Sequence, residues 1–138
     1  MTDPNEWNKA IITEFRANGG KVGGQFAGAP LLLLTTTGAK TGRKFTTPIM
    51  YLAEGDRRFV FASKAGAPTN PAWYHNLIAN PRVTVELGEA TFEANAVPVT
   101  GEERDRLYAQ QARLYPGFAE YQEKTTRVIP VVALERVG

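Results

Sequence analysis

The chain has 138 residues, no cysteine, one histidine and a formal charge of +2 at pH 7. Those counts exclude disulfides, thiolate metal clusters, a thiol nucleophile and the multi-histidine zinc and iron sites. Hydrophobic residues at 43% and charged residues at 22% fit a globular chain, one long enough to bury about two thirds of its unfolded surface in one core. No apolar run reaches the length of a membrane span and no signal peptide is visible, so a cytoplasmic location is expected.

Asp3-Pro4 followed by Glu6 predicts a helix start, with Asp3 as N-cap and proline at the first helical position. Trp7, Ile11 and Phe15 recur on one face, and Gly19-Gly20 ends the helix. The stretch from Lys21 to Pro30 is glycine-rich and reads as a loop. Leu31 to Leu34 is wholly apolar, as a strand buried on both faces would be. Strands are expected over Phe45 to Ala53 and Arg57 to Ser63, joined by a short Glu54-Gly55-Asp56 turn. A short helix is predicted from Pro71 to Ala79, with Asn70 as its N-cap.

Arg82 to Leu87 and Ala90 to Ala96 alternate in polarity around Gly88-Glu89, a two-residue hairpin turn. Thr100 to Leu114 reads as an amphipathic helix and a shorter one follows Pro116. Val128 to Val137 is the last strand, where Pro130 implies an edge position or a bulge. About six mostly antiparallel strands without a βαβ rhythm favour a small barrel over a doubly wound sheet. The expectation is therefore a mainly β protein with helices (α+β), one domain over 1–138, with the N-terminal helix in 1–20 and the barrel in 30–138.

The small net charge conceals an asymmetry. Between Phe15 and Ala53 there is no acid, whereas from Glu86 onward nine acids face six bases. Such a split suits an anionic partner or simply a solvated basic surface. Within the basic part, Thr35 to Lys44 (TTTGAKTGRK) combines two glycines, threonine hydroxyls and three cations. These are the components of a phosphate cradle, although the glycine spacing is not that of a Walker loop, and an ordinary polar hairpin has the same composition. Ala62 to Leu77 leaves a strand and enters a helix N-terminus, where free N–H groups attract anions. Trp73 there is either a flat wall of a site or, with Leu77 four residues on, a core residue.

Tyr115, Phe118 and Tyr121 fall at three-residue intervals and share a helical face, which serves either as core or as a pocket wall. Ser63 and His75 do not make a triad, because no nucleophile elbow is present and the only aspartates are Asp3, Asp56 and Asp105. Paired catalytic carboxylates are also missing. An enzyme built from these residues takes its reactive group from a bound cofactor.

Three segments carry a resemblance: Leu31 to Lys44 (LLLLTTTGAKTGRK), Ala62 to Pro81 (ASKAGAPTNPAWYHNLIANP) and Tyr115 to Pro130 (YPGFAEYQEKTTRVIP). In this order, and with Glu14 to Gly20, they resemble the deazaflavin (F420)-dependent nitroreductase family of actinobacteria. The resemblance implies a split β-barrel of the flavin-reductase and pyridoxamine oxidase kind, binding coenzyme F420 (8-hydroxy-5-deazaflavin). It implies that Lys40, Thr41, Gly42, Arg43 and Lys44 hold the phosphate and the start of the oligoglutamate tail. Phe61, Ala62, Ser63 and Lys64 would line the deazaflavin ring, with Ala72, Trp73, Tyr74, His75 and Asn76 completing that wall.

Tyr115, Phe118 and Tyr121 would shape the substrate pocket, with Ser63, Tyr115 and Tyr121 as the residues that orient or donate to the acceptor. The implied reaction is hydride transfer from reduced F420 to a quinone or a nitroaromatic or nitroimidazole compound, without a metal. Ala39 and Phe45 stand where relatives often carry a basic residue. Alternatives are an FMN- or haem-binding barrel and a non-catalytic carrier of an anionic or lipid ligand. Nucleic acid is disfavoured, since the basic residues lack interleaved aromatics. A homodimer is compatible with the resemblance. The N-terminal helix has three readings: packing on the barrel, covering the pocket, or touching a membrane surface.

Overall fold

The computed structural model describes residues 4–23 and 30–137, with side chains inside those ranges except at 4–8 and 65. Asp3 and the side chain of Trp7, both read from sequence as helix features, lie outside this description, as does most of the glycine-rich loop. In chain order the elements are α1 (Pro4–Ala17), β1 (Leu31–Thr37), β2 (Lys44–Glu54) and β3 (Arg57–Phe61). A 3-10 turn at Lys64–Gly66 leads to α2 (Ala72–Ala79), β4 (Arg82–Leu87) and β5 (Ala90–Val99). Two helices, α3 (Gly101–Leu114) and α4 (Gly117–Lys124), precede β6 (Val131–Arg136).

The six strands close into a barrel in the order β1-β2-β3-β6-β5-β4, every pair antiparallel. Alternation along the strands sends one set of side chains inward. Leu32 and Leu34 of β1, Val60 of β3, Val83 and Val85 of β4, Ala94 and Ala96 of β5, and Val132 and Leu134 of β6 fill the interior. Leu77 of α2 joins that interior cluster. Its outward counterparts are covered by helices. Leu31 and Leu33 meet Ile11 and Phe15 of α1, which explains why all four leucines are buried. Full burial of side chains such as Ile11 and Phe15 stabilises the docking of α1 by about 1.5–3 kcal/mol each. On the opposite flank, Phe59, Phe61, Val131 and Ala133 are covered by Leu107 and Tyr108 of α3 and Phe118 of α4.

Four boundaries differ from the sequence reading, the last three for a long-range reason. First, β3 ends at Phe61, since Ser63 begins the 3-10 turn. Second, α2 is preceded by Pro71 rather than capped by Asn70, because the Asn70 side-chain Oδ1 accepts from Arg127 at 2.8 Å. Third, β5 runs on to Val99. Its ladder to β4 stops at Asn95, so Pro98 lies where only β6 is alongside and its missing N–H interrupts no second ladder. Fourth, β6 starts after Pro130 and is flanked by β3 and β5, so it is neither an edge strand nor bulged at the proline. The Pro130 carbonyl instead accepts the Ala62 N–H at 2.9 Å.

Candidate functional site

One end of the barrel, between the β1–β2 connection and α2, opens into a cleft of about 1060 Å3. One wall is Gly38 to Thr41 with Lys44 to Thr47, the other is Ala72, Trp73, His75 and Asn76, and α1 adds Lys9 and Ile12. Among the described residues the lining contains three lysines and no carboxylate. Such a wall raises the local concentration of anions.

The two walls are tied together by asparagine. The Asn76 side-chain Oδ1 accepts the Ala39 N–H at 3.1 Å and its Nδ2 donates to the Thr36 hydroxyl at 3.3 Å. One turn on, Asn80 donates to the Thr37 carbonyl at 3.3 Å. This fixes the α2 N-terminus against the end of β1; the Tyr74 N–H is taken by the Pro71 carbonyl at 3.1 Å, and the N–H groups of Ala72 and Trp73, the first two residues, have no acceptor within the helix. Opposite, the connection folds on itself through Gly38 N–H to the Arg43 carbonyl (2.7 Å) and Gly42 N–H to the Gly38 carbonyl (3.1 Å). Gly42 has φ +71° and open space where a side chain would stand, so backbone rather than side chain faces outward there. Lys44 donates to the Thr37 hydroxyl at 2.7 Å, which holds its ammonium group at the rim.

The sequence-derived site residues separate into two groups. Lys40, Thr41, Lys44, Ala72, Trp73, His75 and Asn76 come together in the cleft. Gly42 and Arg43 are exposed on the same connection without lining it. Trp73 resolves its two readings by doing both, because it lines the cleft and packs against the barrel interior. Tyr74 faces a smaller cavity of about 400 Å3 beside Arg104 and Pro130. Phe61 and Ala62 are buried, and Ser63 and Lys64 sit in the turn beyond them, away from the cleft lining. Lys64 has φ +47° there, a conformation that costs a non-glycine residue about 1 kcal/mol or more.

Tyr115, Phe118 and Tyr121 also lie outside the cleft lining, in the layer beneath α3 and α4. Phe118 stacks edge-on with Tyr121 at 5.3 Å and with Phe61 at 5.8 Å. Burial pushes the neighbouring Tyr108 hydroxyl up to about 12, and it donates to the Phe118 carbonyl at 2.6 Å. The sequence reading did not include Lys9, Ile12, Thr46 or Thr47 among site residues. Amphipathic spacing marks Ile12 as helix-borne, but nothing local tells which strand end α1 crosses.

The charge asymmetry is also resolved in space. Arg16 pairs with Glu86 at 2.8 Å, Arg57 with Glu103 at 3.2 Å and Arg106 with Glu54 at 2.7 Å. The last contact, through hydrogen bonding, holds the Glu54 carboxyl below its ordinary range. The first two pair a base of the first half with an acid from Glu86 onward, and the third runs the other way. The cleft lysines are in none of them.

Comparison with known proteins gives the family. The sequence profile of the F420H(2)-dependent quinone reductase family matches residues 7–136. The chain belongs to that family. An F420H(2)-dependent quinone reductase of Mycobacterium tuberculosis is 41% identical over 128 residues, which is 88% of this chain and 85% of that protein. A solved F420-H2 dependent reductase superposes with a TM-score of 0.71 at 43% identity, covering 77% of this chain and 94% of its own. A second solved structure, described as a domain-swapped dimer, gives 0.73 at 37% identity, covering 96% of this chain and all of its own. The protein is thus an F420H2-dependent reductase with coenzyme F420 as its cofactor, and its closed barrel with four helices is the fold that the resemblance implied.

Proposed function

We propose that coenzyme F420 binds in the cleft between the β1–β2 connection and α2, and that a quinone-type acceptor is reduced there. The observation that supports this most is a cleft lining with Lys9, Lys40 and Lys44 and no carboxylate among the described residues. The cofactor's phosphate and oligoglutamate tail are anionic, and the residues fit them. Lys40 and Lys44 supply charge, Thr41 a hydroxyl, and the folded connection supplies N–H groups that a Cβ at Gly42 would not obstruct. Lys9 takes a place in the lining that offsets the missing basic residues at Ala39 and Phe45. Ala72, Trp73, His75 and Asn76 form the wall for the ring system.

When bound and reduced, F420 supplies a hydride from C5 of its deazaflavin. The chain's own contribution is position and electrostatics. Trp73 is held by the barrel interior, and Asn76 by Thr36 and Ala39, so the wall is preorganised before a ligand arrives. Ile12 and Phe45 give the cleft apolar surface against which a bound ring would pack. Negative charge that develops on an acceptor oxygen meets lysine ammonium groups in a lining that holds no carboxylate among the described residues. Ser63, Tyr115 and Tyr121, which the resemblance implied as donors, lie outside this lining, so we assign the charge-stabilising role to the lysines. Nitro compounds present the same electron-poor character and are included as acceptors.

A homodimer is part of this reading, supported by the neighbour described as domain-swapped. Membrane contact is not, since the apolar face of α1 is engaged with the barrel through Ile11 and Phe15, and no helix of the described residues is long and apolar enough to cross a membrane. The test is a titration of the protein with oxidised F420 and with FMN, followed by turnover of quinone and nitro acceptors. Saturable F420 binding that quenches tryptophan fluorescence, with hydride delivered to a quinone, is expected. Tighter binding of FMN at the same site would overturn the assignment.

A further inference from the structure

We propose that Arg127 is a positioning residue for the cofactor wall, acting through the segment 62–70 that delivers the chain into α2. This rests on the placement of F420 against α2 given above. The Arg127 guanidinium touches none of the cleft lining, yet it makes four bonds to that one segment. Nε donates to the Ala67 carbonyl at 2.9 Å, Nη1 to the Ala62 carbonyl at 3.1 Å and to Asn70 Oδ1 at 2.8 Å, and Nη2 to the Ser63 carbonyl at 2.7 Å. Four of the five N–H donors of the planar fork are therefore used on acceptors spread over nine residues of sequence.

The segment needs such a clamp. It contains a non-glycine residue, Lys64, at φ +47° and Gly66 at φ +80°, and it crosses α4 so closely that a Cβ at Gly66 would lie 2.7 Å from the Tyr121 carbonyl oxygen. The base of the clamp is fixed independently. The Gln122 amide donates to the Arg127 carbonyl at 2.7 Å, and the Arg127 N–H donates to the Thr125 hydroxyl at 3.3 Å. From Asn70 the chain passes through Pro71 directly to Ala72 and Trp73 of the cleft. A shift of the loop is transmitted to the wall over two residues. Arginine is required by this geometry, because a lysine ammonium has no fork with which to reach both ends of the loop.

The experiment compares Arg127→Ala, Arg127→Lys and Asn70→Ala with Leu107→Ala, which destabilises the same helical layer without a bond to the segment. Two readouts are taken: amide hydrogen exchange over 62–73 in the cofactor-free protein, and affinity for oxidised F420. Arg127→Ala is expected to speed exchange in 62–73 and to weaken F420 binding about tenfold or more. Millimolar guanidinium restores both, Arg127→Lys recovers neither fully, Asn70→Ala gives a smaller change of the same kind, and Leu107→Ala gives neither change. Where Arg127→Ala does not fold, Asn70→Ala and Arg127→Lys carry the same comparison. Unchanged exchange in 62–73 overturns the clamp whatever the cofactor does. Faster exchange with unaltered F420 affinity overturns the positioning role, whereas failure of the cofactor placement itself shows as unaltered F420 affinity in a Lys40→Glu, Lys44→Glu variant, which distinguishes the two failures.

Discussion

Around α3 and α4, Arg104 commits its guanidinium to the Ile129 carbonyl, Gln122 and Asp105, and Arg106 binds Glu54 with both terminal nitrogens. At the cleft, Lys40 and Lys44 face no described carboxylate, and the Lys44 ammonium meets only the neutral Thr37 hydroxyl. Aromatic residues divide in the same way. Phe118 and Phe61 are enclosed by their own kind under α4, whereas Phe45 stays 47% exposed in the cleft. A cation with its donors satisfied by the fold is structural, and one left without a counter-charge beside an open cavity is available to a ligand. Residue type alone does not separate the two.

Three measurements break or sharpen this contrast. The largest effect is expected from Phe118→Ala, which empties the centre of the aromatic layer and costs about 3–5 kcal/mol of stability. Denaturant unfolding measures that loss, and the variant's folded fraction should bind F420 with wild-type affinity. A Phe118→Ala protein of native stability with weakened binding would move that residue to the ligand side. Next comes the double variant Lys40→Glu, Lys44→Glu. Loss of two charge-assisted contacts at about 1.5 kcal/mol or more each predicts a fall in F420 affinity of about a hundredfold. The fall shrinks at high salt, while the unfolding midpoint stays nearly unchanged.

The smallest effect is the loss of one hydrogen bond in Tyr108→Phe, about 1 kcal/mol at neutral pH. It also changes a slope. The folded state keeps the Tyr108 proton up to about 12, whereas the unfolded state releases it near 10.0. Above pH 10.0 the unfolded state therefore binds fewer protons, and stability falls as pH rises toward about 12. Chemical unfolding across that window should show the fall in the parent chain and lack this component in Tyr108→Phe.

Much of the barrel was legible from local pattern. The alternation of Val83, Val85 and Leu87 set β4 at its observed limits, and LLLL in β1 announced burial on both faces. The elements that were misjudged depend on partners distant in sequence. Asn70 has the residue type of a helix cap, and only Arg127, 57 residues away, reveals its different use. Pro130 suggested an edge because its carbonyl partner, Ala62, cannot be read locally. At the site, the basic connection and the α2 start were visible as compositions of free donors. Lys9 and Ile12 were not, since a helix face shows that it packs but not what it stands over. Tyr115, Phe118 and Tyr121 look like one helical stripe in sequence, but Tyr115 ends α3 while Phe118 and Tyr121 lie on α4, and all three reach the same layer; periodicity does not say whether such a set meets a ligand or a protein layer.

The place of β6 between β3 and β5 has a consequence for how the molecule assembles. Hairpins such as β1–β2 and β4–β5 join residues close in sequence and can form early, whereas the seam from Val60 to Val132 closes only after the helical pair has turned back. Of the six pairings this seam spans the most chain, so it carries the largest loop-closure entropy. Until it closes, β3 and β5 each present an unpaired edge, so the half-built barrel is the species most exposed to pairing with a neighbouring copy.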